Sequence, residues 1–105
     1  MDKELKKGIL EMLVLNFLSQ RNFYAYELNR KLNEVVETNE STTYAIFKKL
    51  VDKGFCKHYF EESTTGPMRK CYKITKLGLE HLEVLKKSWM EISKKVTLLI
   101  DDKKM

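Results

Sequence analysis

The chain has 105 residues, a net charge of +5 at pH 7 and 43% hydrophobic residues, which favours one globular domain over a disordered chain. No apolar run approaches the ~20 residues that a membrane span requires, so a transmembrane protein is not expected. Glu11 interrupts the apolar stretch near the N-terminus, and no small-residue cleavage site follows it. A signal peptide is therefore not expected either, and the sequence predicts a cytoplasmic protein.

The excess positive charge lies in the central third of the chain. Residues 41–76 hold eight Lys or Arg and three Asp or Glu, whereas the rest of the chain holds twelve of each kind. A localised basic surface is typical of proteins that bind nucleic acid.

The first predicted helix starts at Asp2, a residue suited to capping, and ends in the polar cluster 19–22. Apolar residues cover nearly its whole circumference between positions 9 and 18. A helix with so little polar surface is buried on more than one side. In such a short chain this pattern predicts a central helix that is partly covered by a second copy.

Two further helices follow, joined by the short polar segment 37–40. The first runs from about Tyr24 to Val36, with a predicted buried face at Ala25, Leu28, Leu32 and Val35. The second starts at a cap, either Asn39 or Ser41, and ends at Gly54. Two short helices with a tight joint are typical of a helix-turn-helix, whose second helix lies in the major groove of DNA.

The second of these helices has two different sides. Thr43, Phe47, Leu50 and Val51 form one stripe at helical spacing. The opposite side is small, hydroxylic or cationic and holds Ser41, Thr42, Ala45, Lys48 and Lys49. On its own this pattern favours a basic surface helix, and the segments that follow are needed to support a DNA-binding role.

A β-hairpin is predicted next, from strands at 55–61 and 68–75 and the turn-forming segment 62–67. A hairpin directly after a helix-turn-helix is a wing, and its cations Arg69 and Lys70 lie near the tip. These cations could instead protect a solvated edge strand from aggregation. Placing Phe60 and Tyr72 on the core side puts Cys56 inward with them and Cys71 outward.

The last predicted helix is capped by Thr75 and runs from Lys76 to about Ile100. Its apolar residues recur at intervals of three and four, the pattern that pairs helices side by side, at Leu82, Leu85, Trp89, Ile92, Val96 and Leu99. This seam predicts a dimer interface, although packing on its own domain is the alternative. The expected fold is mainly α with a β-hairpin wing, comprising a winged helix-turn-helix at 1–75 and a dimerisation helix at 76–105.

Other chemistries have weaker support. Two cysteines are too few for a disulfide framework, and Cys56 is interpreted as a small apolar residue rather than a redox sensor. His58 and His81 stand alone, so no zinc site is expected. The acids Glu61 and Glu62 are interpreted as part of a solvated turn. With no phosphate loop or nucleophile motif, neither an enzyme nor a cofactor is expected.

With these elements in order, the chain resembles the PadR family of bacterial transcriptional regulators from about residue 5 to 92. The resemblance rests on four blocks, namely Tyr24-Ala25-Tyr26-Glu27-Leu28, Thr42 to Leu50 with Gly54 after it, the wing segment Gly66 to Gly78, and Trp89 on the last helix. The sequence departs from the family pattern at three positions. Ala25 and Ser41 replace glycines, and Ala45 replaces a proline.

The resemblance implies a homodimeric repressor that binds a palindromic DNA operator and that a small molecule releases. The residues carried over to the recognition helix are Thr42, Thr43, Tyr44, Lys48 and Lys49. Tyr26, Arg69 and Lys70 would contact phosphates. Trp89 either packs in the seam or, with its copy in the partner, forms a slot for a planar aromatic effector. The rival hypothesis is a winged-helix dimer that acts through protein contacts and does not bind specific DNA.

Overall fold

The structure is a computed structural model that describes residues 3–101, with side chains from residue 5 onwards. Asp2, the expected cap of the first helix, lies outside the described residues. In chain order the elements are α1 (Lys3–Gln20), β1 (Phe23–Tyr24), α2 (Ala25–Val35), α3 (Glu40–Asp52), β2 (Cys56–Glu61), β3 (Arg69–Ile74) and α4 (Lys76–Ile100). The predicted mainly helical fold with a hairpin wing is confirmed.

The core is built around α1, as its apolar circumference predicts. Leu10, Val14, Leu15 and Leu18 are buried on this helix, and α2, α3 and α4 all pack against it. Leu28 and Leu32 of α2, and Phe47 and Leu50 of α3, complete the interior. One expected core residue differs, because Val35 is 58% exposed while Val36 is buried. The helix ends at Val35, and the extended backbone of Val36 directs that side chain inward instead.

The sheet has a third strand that the sequence pattern does not reveal. β1 pairs with β3 in antiparallel fashion, Phe23 opposite Tyr72 and Tyr24 opposite Cys71, and the strand order is β1-β3-β2. A strand of two residues has no detectable alternation, and it forms because β3 offers a free edge. The wing is therefore joined to the start of α2 by backbone hydrogen bonds.

The ends of α3 are set by local chemistry. Asn39, not Ser41, is its cap, because the Asn39 side chain accepts a hydrogen bond from the Thr42 backbone N–H at 2.8 Å. After the helix, Gly54 has a φ of 81°, a conformation that glycine adopts without strain. This left-handed turn directs the chain from α3, the recognition helix, into the wing.

The long helix α4 begins at Lys76 and is capped by Thr75, as predicted, since the Thr75 side chain accepts from the Gly78 backbone N–H at 3.0 Å. Gly78 is required at that point, because a Cβ there would overlap the carbonyl oxygen of Phe55. The first turns of α4 are thereby held against the α3–β2 connection. Further along, Leu82 enters the core and α4 continues beside α1.

Candidate nucleic-acid interface

The helix-turn-helix is fixed by a buried polar contact between its two helices. The Thr43 hydroxyl donates to Asn29 Oδ1 at 2.6 Å, and Thr43 has no exposed surface. The same Asn29 side-chain oxygen accepts from Asn33 Nδ2 at 3.3 Å. Thr43 was expected among the DNA contacts, and the structure corrects this. Because Thr43 lies on the apolar stripe, its side chain faces α2, and the hydrogen bond fixes the angle between α2 and the recognition helix.

The outward side of α3 retains the residues expected at a DNA surface. Ser41, Ala45 and Lys48 are exposed, and Thr42 is half-buried. The Lys48 ammonium pairs with Asp52 Oδ2 at 2.9 Å, four residues on, and both side chains are largely solvated. An exposed pair of this kind contributes little stability and exchanges readily for another anion. Lys48 is thus available to a phosphate or a base edge.

Lys49 lies in a different environment from Lys48. Its ammonium pairs with Glu11 Oε1 of α1 at 2.5 Å, and the Glu11 side chain is only 18% exposed. The sequence pattern places Lys48 and Lys49 together on one basic side, whereas the structure separates them. Lys48 points away from the domain, and Lys49 joins the recognition helix to α1.

Tyr44 occupies the boundary between the buried and exposed sides of α3. Its ring packs edge-on against Phe47, with centroids 5.3 Å apart, and partial burial raises the pKa of its phenol. It also lines a concave surface of about 390 Å³ between α2, α3 and the wing. The other side chains bordering this surface include Tyr26, Arg69 and Lys70. Four of the expected contact residues are therefore brought together around one depression.

Tyr26 and Arg69 are both organised by Tyr24. The rings of Tyr24 and Tyr26 are stacked, 5.8 Å apart and 9° from parallel. The Arg69 guanidinium lies 5.3 Å from the centroid of the Tyr24 ring. The Tyr24 ring thus supports both the start of α2 and the turn end of the wing.

Glu61 holds the Tyr24 ring in place. The Tyr24 hydroxyl donates to Glu61 Oε1 at 2.9 Å, and this hydrogen bond to a carboxylate raises the pKa of the tyrosine. Glu61 was expected to be a solvated turn residue, and it instead connects β2 to the start of α2. The sequence carries no clear signal for this contact, because the strand that brings residue 24 beside the hairpin, β1, has only two residues.

The two cysteines lie on opposite faces of the sheet, as the strand alternation predicts, and both thiols are free. Cys56 is buried, and desolvation raises the pKa of its thiol to about 12. Cys71 is buried as well, although the alternation places it on the outward face of the hairpin. It lies on the central strand, where neighbouring side chains cover it, and its thiol contacts Glu61 Oε2 at 3.6 Å. Phe60 shares the face of Cys56 but is 55% exposed, because it lies beyond the core toward the wing tip.

The expected dimer seam on α4 divides into two parts. Leu82 is buried and Leu85 is half-buried in the core of their own protomer, since the first turns of α4 lie over α1. These two positions therefore serve the domain, as the alternative interpretation holds. The remaining four are exposed, by 41% to 73% of their surface, namely Trp89, Ile92, Val96 and Leu99.

Trp89 also borders a small apolar cavity between α1 and α4. The cavity measures about 170 Å³ and includes Met12, Leu13 and Met90 in its lining. The indole is 41% exposed, so one of its sides remains open to solvent.

Within residues 3–101, no helix is long and apolar enough to cross a membrane. In the same range, no group of three or more His, Cys, Asp or Glu side chains could hold a metal ion.

The helix-turn-helix, the hairpin on its three-stranded sheet and the helix that follows define a winged helix-turn-helix protein. The model of the transcriptional regulator PadR-like family matches residues 14–84, and the chain belongs to this family.

Similar proteins are found in several bacteria. A PadR-like transcriptional regulator from Bacillus cereus is 35% identical, with a TM-score of 0.83 over 93% of this chain and 97% of that one. A PadR-like transcription factor from Bacteroides fragilis is 32% identical, with a TM-score of 0.78 over 91% and 94% of the two chains. An uncharacterized protein from Lysinibacillus sphaericus is 29% identical over 99 residues, which is 90% of this chain and 91% of that protein.

Proposed function

We propose that this protein is a homodimeric repressor of transcription that binds a palindromic operator in the bacterial cytoplasm. The observation that carries the proposal is the concave surface between α2, α3 and the wing. It is bordered by the recognition helix on one side and by the wing cations Arg69 and Lys70 on another. A DNA duplex has the shape and charge that such a surface complements.

The side chains divide into two roles. Thr42, Tyr44 and Lys48 belong to the recognition helix and would contact base edges in the major groove. Tyr26, Arg69 and Lys70 border the depression from α2 and the wing, and would contact phosphates and set the register. Thr43 is excluded from both groups by its burial.

Dimerisation follows from the exposed part of the α4 seam. Trp89, Ile92, Val96 and Leu99 leave a stripe of apolar side chains uncovered in one protomer. In a dimer with two-fold symmetry, the stripe of each protomer would pack against the same stripe of the other, so both would be covered. Two recognition helices would then enter successive major grooves, about 10 base pairs apart from centre to centre.

The test is a selection of random DNA duplexes for those that the purified protein retains. Enrichment of a palindrome is the expected result, and absence of any enrichment at low salt would instead support a dimer that acts through protein contacts. Lys48→Ala should weaken binding of the selected duplex in a gel shift. Lys87→Ala, which removes an exposed lysine from α4, is the matched control and should leave binding unchanged.

Repression is tested separately with the selected duplex. The operator is placed over a promoter in a purified transcription reaction. Adding the protein should then lower the transcript yield. A higher yield would assign the protein as an activator.

The planar aromatic effector expected at Trp89 fits the same seam. The open side of the indole and the apolar cavity beside it offer a flat, largely non-polar surface. Planar aromatic compounds should quench Trp89 fluorescence and release the selected duplex. Fluorescence that is unchanged by a broad panel of such compounds would remove the effector from the proposal.

A further inference from the structure

A groove of about 560 Å³ separates the first half of α1 from the recognition helix. From α1 it is lined by Lys6, Lys7 and Glu11, and from α3 by residues that include Ser41, Ala45 and Lys49. Among the described residues that line the groove, three are lysines and one is a glutamate, which gives this part of the lining a positive balance. Of the proposed base contacts, Thr42 lines this groove, whereas Tyr44 borders the concave surface on the wing side of α3. The groove therefore lies on the side of the recognition helix that faces away from the wing.

The charges in the groove are not equivalent. Of the lining residues that the structure describes, Glu11 is the one acid, and it pairs with Lys49. The Glu11 carboxylate is more protected from solvent than that of Asp52, with side-chain exposures of 18% and 60%. An ion pair that is partly withdrawn from water is screened less by salt than an exposed one. Lys49 is therefore held more firmly by Glu11 than Lys48 is by Asp52.

We propose that this groove receives the sugar-phosphate strand that flanks the recognition helix, with Lys6 and Lys49 as its cationic contacts. The inference rests on the proposed function and extends its DNA surface from the wing, across α3, to α1. Two arguments select DNA as the occupant. The lysines complement a polyanion, and the groove is continuous with the recognition helix through Ser41 and Ala45.

Glu11 limits the affinity of this surface for DNA. Its carboxylate competes with the phosphate for the Lys49 ammonium, and it repels any phosphate that enters the groove. Glu11 thereby lowers the affinity for all DNA sequences, specific and non-specific alike, because phosphates carry no sequence information. A protein that releases its operator readily, and that resists non-specific binding, gains from such a restraint.

The inference is tested on the full-length protein with the duplex selected above, by measuring the dissociation constant at several salt concentrations. Lys6→Ala should weaken binding. It should also make the slope of the logarithm of affinity against the logarithm of salt concentration shallower by about 0.9 for each groove engaged, or about 1.8 for a dimer. Glu11→Gln should tighten binding severalfold and make the dependence steeper. Lys49→Ala should cost more affinity in the Glu11→Gln background than in the wild type.

Two control variants remove the same charges elsewhere. Lys87→Ala and Glu83→Gln lie on α4 and do not line the groove. If Lys6→Ala behaves as Lys87→Ala does, and Glu11→Gln as Glu83→Gln does, the effect is one of net charge and the inference is overturned. Urea unfolding of each variant separates a loss of binding from a loss of folding.

The outcome also distinguishes this inference from the proposed function. Wild-type protein that binds no duplex would overturn both. Wild-type protein that binds its selected duplex, together with unchanged affinity and salt dependence in Lys6→Ala and Glu11→Gln, would overturn the groove alone.

Discussion

The Thr43 hydroxyl donates a hydrogen bond of 2.6 Å to Asn29 Oδ1, which joins the recognition helix to α2 through a fully buried threonine. A threonine at the second position of a family-like Thr-Thr-Tyr block suggests a DNA contact, and the contact it makes is internal. The two adjacent threonines therefore have different tasks. Thr42 lies at the outward surface, and Thr43 sets the geometry from which Thr42 acts.

Thr43→Val should destabilise the protein by roughly 1–2 kcal/mol, because the isosteric side chain removes the hydroxyl and leaves Asn29 with a weaker partner. Urea unfolding measures the change. Thr64→Val, in the exposed wing turn, is the matched control and should have little effect. If Thr43→Val matched the control in stability and weakened operator binding instead, Thr43 would be a DNA contact after all.

Much of the fold could be predicted because its signals are local. The bounds of α4 follow from the Thr75 cap and from apolar residues at helical spacing, and the structure has the helix at Lys76–Ile100. The hairpin follows in the same way from alternation and a turn-forming segment. Each of these signals lies within a few residues of the element it predicts.

The site was less predictable because its contacts join distant parts of the chain. Tyr24 and Glu61 are 37 residues apart, and Glu11 and Lys49 are 38 apart. A single acid in an apolar helix, such as Glu11, indicates a partner but does not identify it. Strand β1 was missed for a related reason, since two residues show no period until β3 pairs with them. Cys71 is buried by the same pairing.

Gly78→Ala should destabilise the protein by at least about 2 kcal/mol, because the added methyl group would overlap the Phe55 carbonyl oxygen and push α4 away from the wing. Gly8→Ala is an informative control, since a Cβ there meets no atom within 4 Å. In the middle of α1 that change should raise stability by up to about 1 kcal/mol. Thermal or urea unfolding of the two variants decides the matter. Equal effects would mean that the close approach of Gly78 to Phe55 is not required.

Glu27→Gln should reduce stability at neutral pH by about 0.5–1 kcal/mol. Glu27 accepts a hydrogen bond from the Tyr24 backbone N–H at 3.0 Å, at the start of α2, and pairs with Arg21 at 3.2 Å. The hydrogen bond from Tyr24, followed by the Arg21 interaction, lowers the pKa of Glu27. Its ionised form therefore stabilises the fold above the pKa of an unfolded glutamate, and this contribution is lost as the pH falls through the lowered value.

The measurement is urea unfolding of wild type and Glu27→Gln over a series of pH values from neutral into the acidic range. The difference in the free energy of unfolding should shrink as the pH falls. Glu34→Gln, which removes an exposed acid facing Lys31, should change stability little. A difference that is constant with pH would show that the charge of Glu27 contributes nothing to capping.

Ile92→Glu should separate the proposed dimer into folded monomers. Ile92 is 54% exposed and lies outside the core of its own protomer, so the change leaves the fold intact. In a two-fold interface it would bury two carboxylates without partners, which should raise the dissociation constant of the dimer by roughly 100-fold or more. Sedimentation over a range of protein concentrations measures this constant.

Val84→Glu is the matched control, because Val84 is 61% exposed on the same helix but lies off the seam. It should sediment as the wild type does. If Val84→Glu separated the dimer and Ile92→Glu did not, a different side of α4 would form the interface. If the wild-type protein is monomeric at high concentration, the seam is not a dimer interface. The two-fold arrangement that a palindromic operator requires would then be lost as well.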